Sequence, residues 1–229
     1  MTKSFRIAAA CLFMTVFLGT GQAADEQTEI GFLGGFQLSK ANLPESYLSM
    51  SYDTLAEFSF GIHLSSFFLK GRFGLRPEIN YLTRGIKTRE SAQGREVISR
   101  YKTSYVEIPI LLIYRIPLVG RIEVRPLFGP YIGIPLKSKE LQTAFGETNK
   151  RELGDNLKNP DIGLVLGMQM GYLMDKILMF LDVRFNLGIL NISKDIQKVS
   201  YDFSQEDGFR NRSLSLSIGF AFNLSQKGH

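Results

Sequence analysis

The stretch from Tyr105 to Pro117, YVEIPILLIYRIP, carries a pattern that recurs along the chain. Successive side chains of an extended strand point to opposite faces, so alternate residues share a face. One face of this stretch is bulky and apolar: Val106, Ile108, Ile110, Leu112 and Tyr114. The apolar run between Glu107 and Arg115 is too short for a membrane helix, which needs about 20 residues, and Pro109 would break a helix. The pattern therefore predicts a β-strand with a continuous apolar face.

Seven other segments alternate in the same way. The eight segments are Ile30 to Ser39, Glu57 to Ser66, Phe73 to Thr83, Tyr105 to Pro117, Ile122 to Ile134, Asp161 to Tyr172, Ile177 to Ile189 and Arg212 to Leu224. The connections after the second, fourth and sixth segments are short, whereas the others are long and polar. Such alternation of segments and connections is typical of membrane β-barrels. We therefore expect an all-β fold, an eight-stranded antiparallel up-and-down transmembrane β-barrel with the N-terminus on the short-turn side.

The volume of the apolar side chains indicates which face points outward. A soluble ligand-binding barrel would place the apolar face inside. The interior of an eight-stranded barrel is just filled by ordinary side chains, so it has no room for roughly five bulky residues from each strand. The opposite face consists of Gly, Ser, Ala, Asn and charged residues, which suits a narrow polar lumen. We therefore expect the apolar face to contact lipid.

The polar face predicts a set of charged residues in the lumen. These residues are Arg76, Glu78, Glu107, Glu123, Arg125, Asp161, Asp182 and Arg184. They could select ions in a pore, or they could pair with one another and fill the lumen. Buried charges are tolerated when they are paired, and eight strands leave no wide aqueous channel. Structural pairing is the favoured interpretation.

Aromatic residues and polar connections mark the two ends of the predicted barrel. An aromatic girdle at the membrane interface is expected at the short-turn ends, formed by Phe67, Phe68, Tyr114 and Tyr172. The connections Ile86 to Ser104, Lys137 to Lys158 and Asn191 to Asn211 are mixed in charge. We expect these three to be solvated surface loops.

One pair of residues suggests catalysis. His63 and Ser65 lie on the same strand face, where a base and a nucleophile would be adjacent. Some outer-membrane lipid A deacylases are similar, in that they use a His, a Ser and an acid on a small barrel. Here the two side chains point into the predicted lumen, away from lipid, and spacing identifies no acid. A structural interior histidine is the favoured interpretation.

Composition adds information about export. Met1 to Ala23 has the charged start, apolar core and small terminal residues of a secretory signal peptide, which leaves residues 24–229 as one barrel domain. The sole cysteine, Cys11, lies in this leader, so we expect no disulfide and no thiolate metal site in the exported protein. The formal charge of +5 comes from scattered basic residues, which gives a nucleic-acid partner little support.

Five segments carry a resemblance to a known family. They are YVEIPILLIYRIP at Tyr105 to Pro117, RPLFGPYIGIPL at Arg125 to Leu136, DIGLVLGMQMGY at Asp161 to Tyr172, LDVRFNLGILNI at Leu181 to Ile192 and SLSLSIGFAFNL at Ser213 to Leu224. The chain resembles the PorT-like, porin-family outer-membrane β-barrel domain of bacterial envelopes. The resemblance implies the fold and a place in the bacterial outer membrane. It implies little about activity, because most of that family has no assigned function and its best-known relatives assist a secretion system.

The sequence thus predicts a non-enzymatic outer-membrane barrel without cofactor or metal. Its expected role is structural or envelope-associated, through long surface loops. The expected partners are outer-membrane lipids, the barrel-insertion machinery and possible envelope proteins that contact the loops. Two alternatives remain: a narrow porin-like channel for small solutes, and a lipid A-modifying enzyme that uses His63 and Ser65. One departure from the family pattern is that seven residues follow Phe222, where such barrels often end on an aromatic residue.

Overall fold

The computed structural model describes residues 27–42, 51–92, 95–144, 147–152, 160–189 and 210–224. Its strands are β1 (Gln27–Asn42), β2 (Ser51–Asp53), β3 (Leu55–Phe68), β4 (Phe73–Ala92), β5 (Arg95–Tyr114), β6 (Ile116–Pro117), β7 (Ile122–Ala144), β8 (Glu147–Glu152), β9 (Asp161–Met174), β10 (Ile177–Gly188) and β11 (Arg210–Asn223). In this part of the chain no helix is long and apolar enough to cross a membrane. The predicted signal peptide, Met1 to Ala23, lies outside the described residues.

Eight of these strands close into a single antiparallel barrel. In order around the barrel they are β1, β3, β4, β5, β7, β9, β10 and β11, so each strand pairs with its neighbour in the chain. The first and last strands complete the ring, with Ile30 opposite Phe222 and Leu38 opposite Leu214. The predicted all-β eight-stranded up-and-down barrel is therefore confirmed. Closure pairs the edge that an open sheet would expose.

The two faces of the barrel follow the alternation of the sequence. Along β11, Leu216 and Ile218 expose 52% and 61% of their surface, whereas Ser217 between them exposes 3%. On the outer face, the ring centroids of Phe36 and Phe58 lie 5.8 Å apart in an edge-to-face contact between β1 and β3. The apolar residues thus form the outside of the barrel, and the small and polar residues form its inside.

The short connections lie together at one end of the barrel. They follow β3, β6 and β9, and they include two glycines with positive φ, Gly71 and Gly120, both at +71°. The left-handed region costs glycine no steric penalty, so these residues suit tight turns. The chain enters β1 and leaves β11 at this same end, as the sequence predicted.

Two of the three expected loops are wrong in detail. The range from Ile86 to Ser104 is largely a continuous hairpin of β4 and β5, with Ile86 paired to Tyr101. Beyond Lys137, β7 continues and pairs with β8, as in Lys139 opposite Glu152. These strands extend beyond the apolar part of the barrel, so neither face needs apolar residues and the alternation disappears. Most of the third expected loop, residues 190–209, lies outside the described residues.

A candidate functional site in the barrel lumen

The interior of the barrel gathers charged side chains from six strands. All the predicted lumen charges are buried, each with 8% or less of its surface exposed: Arg76, Glu78, Glu107, Glu123, Arg125, Asp161, Asp182 and Arg184. Their positions follow from strand parity, because each lies on the inward face of its strand. Three further charged residues, Glu29, Arg84 and Arg115, join them, and together they form three clusters from one end of the barrel to the other.

The lower cluster lies at the short-turn end and contains Glu29, Arg115, Glu123 and Arg125. Arg125 donates two hydrogen bonds to Glu29, at 2.7 and 2.9 Å, and approaches Glu123 at 2.5 Å. Arg115 donates to Glu29 at 2.7 Å and lies 3.4 Å from Glu123. Two arginines and two glutamates therefore neutralise each other.

The middle cluster is also balanced in charge and contains Arg76, Glu78, Asp182 and Arg184. Arg184 donates to both carboxylate oxygens of Glu78, at 2.6 and 3.0 Å, and to both oxygens of Asp182, at 2.5 and 2.8 Å. The Arg76 Nε lies 2.7 Å from Glu78, and Arg76 also donates to the Gln169 amide oxygen at 2.5 Å. Bidentate arginine–carboxylate contacts of this kind are among the strongest hydrogen-bonded pairs.

The upper cluster, at the long-loop end, contains Arg84, Glu107 and Asp161. Arg84 donates to Asp161 at 2.6 Å and also to Glu107. One arginine faces two acids, so neutral donors supply the remaining hydrogen bonds. They are Tyr131 and Asn211 to Asp161, at 3.3 and 2.9 Å, and Asn186 to Glu107, at 3.3 Å.

Little space remains between these clusters. A cavity in the lumen, bordered by Glu107, Arg184 and Ser217 among others, offers about 20 Å³ to the centre of a water molecule. Such a volume holds about one water. At the long-loop end, Ser39 on the inner face of β1 accepts a hydrogen bond from the Gly85 N–H at 3.2 Å, which joins β1 to the backbone of β4 where β3 begins. A side chain at Gly85 would collide with the Tyr101 carbonyl and with Leu55.

Phe67 corrects the predicted aromatic girdle. It is completely buried and packs in an interior cluster with Leu111, Ile113 and Leu127. The guanidinium carbon of Arg115 lies 3.8 Å from the centre of its ring, and that of Arg125 lies 5.0 Å away. Phe67 has the same parity as His63 and Ser65, so strand geometry turns it inward. It therefore lies inside the lumen beside the lower cluster and not at the membrane interface.

The remaining three girdle residues lie on the outside at the short-turn end. Phe68 and Tyr172 are exposed, at 39% and 48%, and Tyr114 is half-buried. Phe73, which the sequence interpretation omitted, joins them. Its ring centre lies 6.4 Å from that of Phe68 and 4.7 Å from that of Tyr114. The outer aromatic cluster therefore contains Phe68, Phe73, Tyr114 and Tyr172.

His63 and Ser65 are adjacent but enclosed. The His63 Nδ1 and the Ser65 Oγ lie 3.3 Å apart, and the two residues expose 3% and 0% of their surface. The other ring nitrogen, Nε2, has no hydrogen-bond partner in the described structure, so no acid orients the ring. Within the described residues, no group of three or more His, Cys, Asp or Glu side chains could hold a metal ion.

The sequence interpretation missed Glu29 and Arg84 as lumen residues because it ended their strands too early, and it treated Arg115, inside the segment from Tyr105 to Pro117, only as a charge that bounds the apolar run. Glu29 precedes the expected start at Ile30, and Arg84 follows the expected end at Thr83. Each of the three residues keeps the inward parity of its strand. One further step of the two-residue period identifies Glu29 and Arg84, and the parity of Glu107 within its own segment identifies Arg115.

A closed ring of eight strands, an apolar outside and an ion-paired inside define a membrane β-barrel of the outer-membrane type. Comparison with known families identifies it further. The chain belongs to the outer membrane protein beta-barrel domain family, whose model matches residues 21–194. It is accordingly an outer-membrane β-barrel protein, and its strands are transmembrane. Comparison with curated proteins found no significant match.

Solved structures with the same fold are distant in sequence. A major outer membrane protein from Thermus thermophilus is 13% identical with a TM-score of 0.50, over 87% of this chain and 99% of that one. Neisserial surface protein A is 15% identical with a TM-score of 0.41, over 86% and 97%. The outer membrane protease OmpT from Escherichia coli is 9% identical with a TM-score of 0.42, over 90% and 99%. At these identities the likeness concerns the fold alone.

Arg184 is the sharpest test of the pairing in the lumen. The Arg184→Leu variant leaves Asp182 without its arginine, and removal of one partner of a buried ion pair costs about 3–5 kcal/mol. The Asp182→Leu/Arg184→Leu double variant retains the neutral pair of Arg76 and Glu78. We expect it to be more stable than Arg184→Leu alone. The measurement is the free energy of unfolding in phospholipid vesicles, and simple additivity of the two single substitutions would contradict the pairing.

Proposed function

We propose that the protein is a non-conducting and non-enzymatic outer-membrane barrel with a structural or envelope-associated role. The observation that carries this proposal is the filled lumen, in which the three charge clusters leave a cavity for about one water. Its contacts with other molecules then depend on the outer surface and the two ends. In this proposal the lumen is a stabilising interior of the barrel, and its charged side chains form ion pairs with one another.

The pairing of charges supports a sealed lumen over a selective pore. Ion channels leave rings of charge accessible to passing ions. Here, Arg76, Glu78 and Asp182 expose 2% or less of their surface. An ion entering the middle cluster would have to displace bidentate contacts between arginine and carboxylate. The second candidate is a narrow channel for small solutes. The upper cluster is less balanced in charge and is completed by neutral tyrosine and asparagine donors, so only that end of the lumen supports this candidate.

The enclosure of His63 supports a role other than catalysis. A lipid-modifying enzyme has to present its base and nucleophile to a lipid. His63 and Ser65 are buried inside the barrel, and the ring centroid of Phe180 lies 5.8 Å from that of the imidazole. A triad also needs a third group that orients the base, and the Nε2 atom of His63 has no such partner in the described structure.

The long-loop end offers a surface for contacts with other envelope proteins. There β2, β4, β5, β7 and β8 form a continuous antiparallel sheet that extends past the apolar part of the barrel. The edge strand β8 presents exposed polar residues, such as Lys150 and Arg151. The remaining expected partners are outer-membrane lipids on the apolar outside and the barrel-insertion machinery during assembly. Export through a cleaved signal peptide, Met1 to Ala23, completes the proposal.

Single-channel recording in planar bilayers tests whether the lumen conducts. We expect the purified protein to give no conductance steps, because the described cavity beside Glu107 and Arg184 holds about one water and paired charges surround it. A matched variant replaces one ion pair in each cluster by serine, Arg125 with Glu123, Arg184 with Asp182, and Arg84 with Glu107. We expect steps from this variant once its folding is verified. Reproducible steps from the unmodified protein would support the narrow channel and contradict the sealed lumen.

The lipid A of whole cells tests the enzymatic alternative. Mass spectra are compared for cells that lack the protein, cells that contain it and cells that contain His63→Ala. We expect the three spectra to be identical, because the imidazole is enclosed. A change in acyl chains that requires the protein and disappears in His63→Ala would establish catalysis instead.

A further inference from the structure

The short-turn end of the barrel carries an exposed set of basic residues, which we name the basic rim: Lys70, Arg72, Arg121 and Lys176. They lie on all three short turns, and all four are exposed. Asp175 is the one exposed acid in the described part of this end. The other two acids there, Glu29 and Glu123, are occupied by Arg115 and Arg125. In the part of this end that the structure describes, four exposed cations therefore outnumber one exposed acid.

The backbone holds three of these residues at fixed places around the rim. The carbonyl of each accepts a hydrogen bond from the next hairpin or strand. Arg72 accepts from the Arg115 N–H at 2.7 Å, Arg121 from the Leu173 N–H at 2.8 Å, and Lys176 from the Asn223 N–H at 2.9 Å. Neighbouring turns are thereby joined, so the charges are distributed around the barrel and are not gathered at one flexible loop.

The basic rim lies directly beside the outer aromatic cluster. Arg72 precedes Phe73, and Lys70 is two residues after Phe68. Aromatic girdles lie at the level of the lipid headgroups, and lysine and arginine side chains extend from apolar surfaces toward that level. The ammonium and guanidinium groups of the basic rim are therefore within reach of headgroup phosphates.

Apolar residues in the same turns distinguish a lipid surface from a soluble polyanion. Leu69 exposes 68% of its surface, Leu118 52% and Val119 89%. Exposure of these side chains to water is unfavourable, whereas contact with acyl chains at the interface removes that cost. A surface that combines basic and apolar side chains fits a phospholipid with a net negative headgroup.

We propose that the basic rim binds anionic phospholipids in the leaflet that borders the short turns. The ligand is a glycerophospholipid whose headgroup carries a net negative charge. Binding orders these lipids around the turns and fixes the depth of the barrel. This proposal is independent of whether the lumen conducts, because none of the four residues lies in the lumen.

The backbone conformation at Lys70 allows a substitution that removes a charge and still suits the turn. Its φ of +60° lies in the left-handed region, which favours glycine. The Lys70→Gly variant therefore removes a charge while it suits the turn, and we expect its thermal stability to equal or exceed that of the unmodified protein. Each basic residue near an anionic surface contributes roughly fivefold to lipid binding. We expect Lys70→Gly to lower the preference for anionic lipid by about this factor.

The experiment measures lipid retention by native mass spectrometry of the full-length protein in detergent. Phosphatidylglycerol and phosphatidylcholine with identical acyl chains are titrated separately. We expect the unmodified protein to retain phosphatidylglycerol preferentially. In the rim variant (Lys70→Gly, Arg72→Gln, Arg121→Gln and Lys176→Gln), the preference for phosphatidylglycerol over phosphatidylcholine should fall at least about tenfold. The matched control changes four basic residues at the other end, namely Arg100→Gln, Lys137→Gln, Lys139→Gln and Lys150→Gln, and should retain the preference.

Three results would overturn the proposal. The first is equal retention of the two lipids by the unmodified protein. The second is an equal loss in the control variant, which would mean that only net charge matters. The third is an unchanged lipid preference in Lys70→Gly and in the rim variant; an accompanying loss of binding to purified peptidoglycan would assign the basic rim to a cell-wall polymer.

Discussion

The pairing of every backbone polar group in lipid is the constraint on which the rest of this structure depends. A closed antiparallel ladder satisfies it without a free edge, and closure with eight strands leaves an interior about as wide as the side chains that fill it. Each strand must then present lipid-compatible residues outward and compact polar residues inward. Leu216 on the outside exposes 52% of its surface and Ser217 on the inside exposes 3%, so this alternation is visible at two successive residues.

Charges in such an interior need opposite charges or hydrogen-bonding groups beside them. The lower and middle clusters are balanced, and their bidentate contacts hold strands from opposite sides of the barrel at fixed distances. Arg184 on β10 contacts Glu78 on β4, and Arg125 on β7 contacts Glu29 on β1. Ion pairs in a buried position offset their desolvation cost incompletely. We propose that their contribution is to specify one packing of the lumen.

The sequence was sufficient for the fold and for the inward position of most charges, because both depend on a period of two that survives in every membrane-crossing segment. The sequence was insufficient beyond those segments, where the two-residue period ends. Above the membrane both faces of β5 meet water, so the strand continues from Tyr105 back to Arg95 without an apolar pattern. Phe67 was assigned to the interface from its residue type, although its parity placed it inside. The partners of Arg84 depend on tertiary contacts to Glu107 and Asp161, which no local pattern contains.

The water content of the lumen tests most directly whether the lumen is filled. A high-resolution crystal structure of the barrel in a lipid mesophase would locate ordered water between the three clusters. We predict an isolated site for about one water beside Glu107 and Arg184, with the bidentate contacts of Arg184 and Arg125 intact. A continuous file of water from the short turns to the opposite mouth would contradict this prediction.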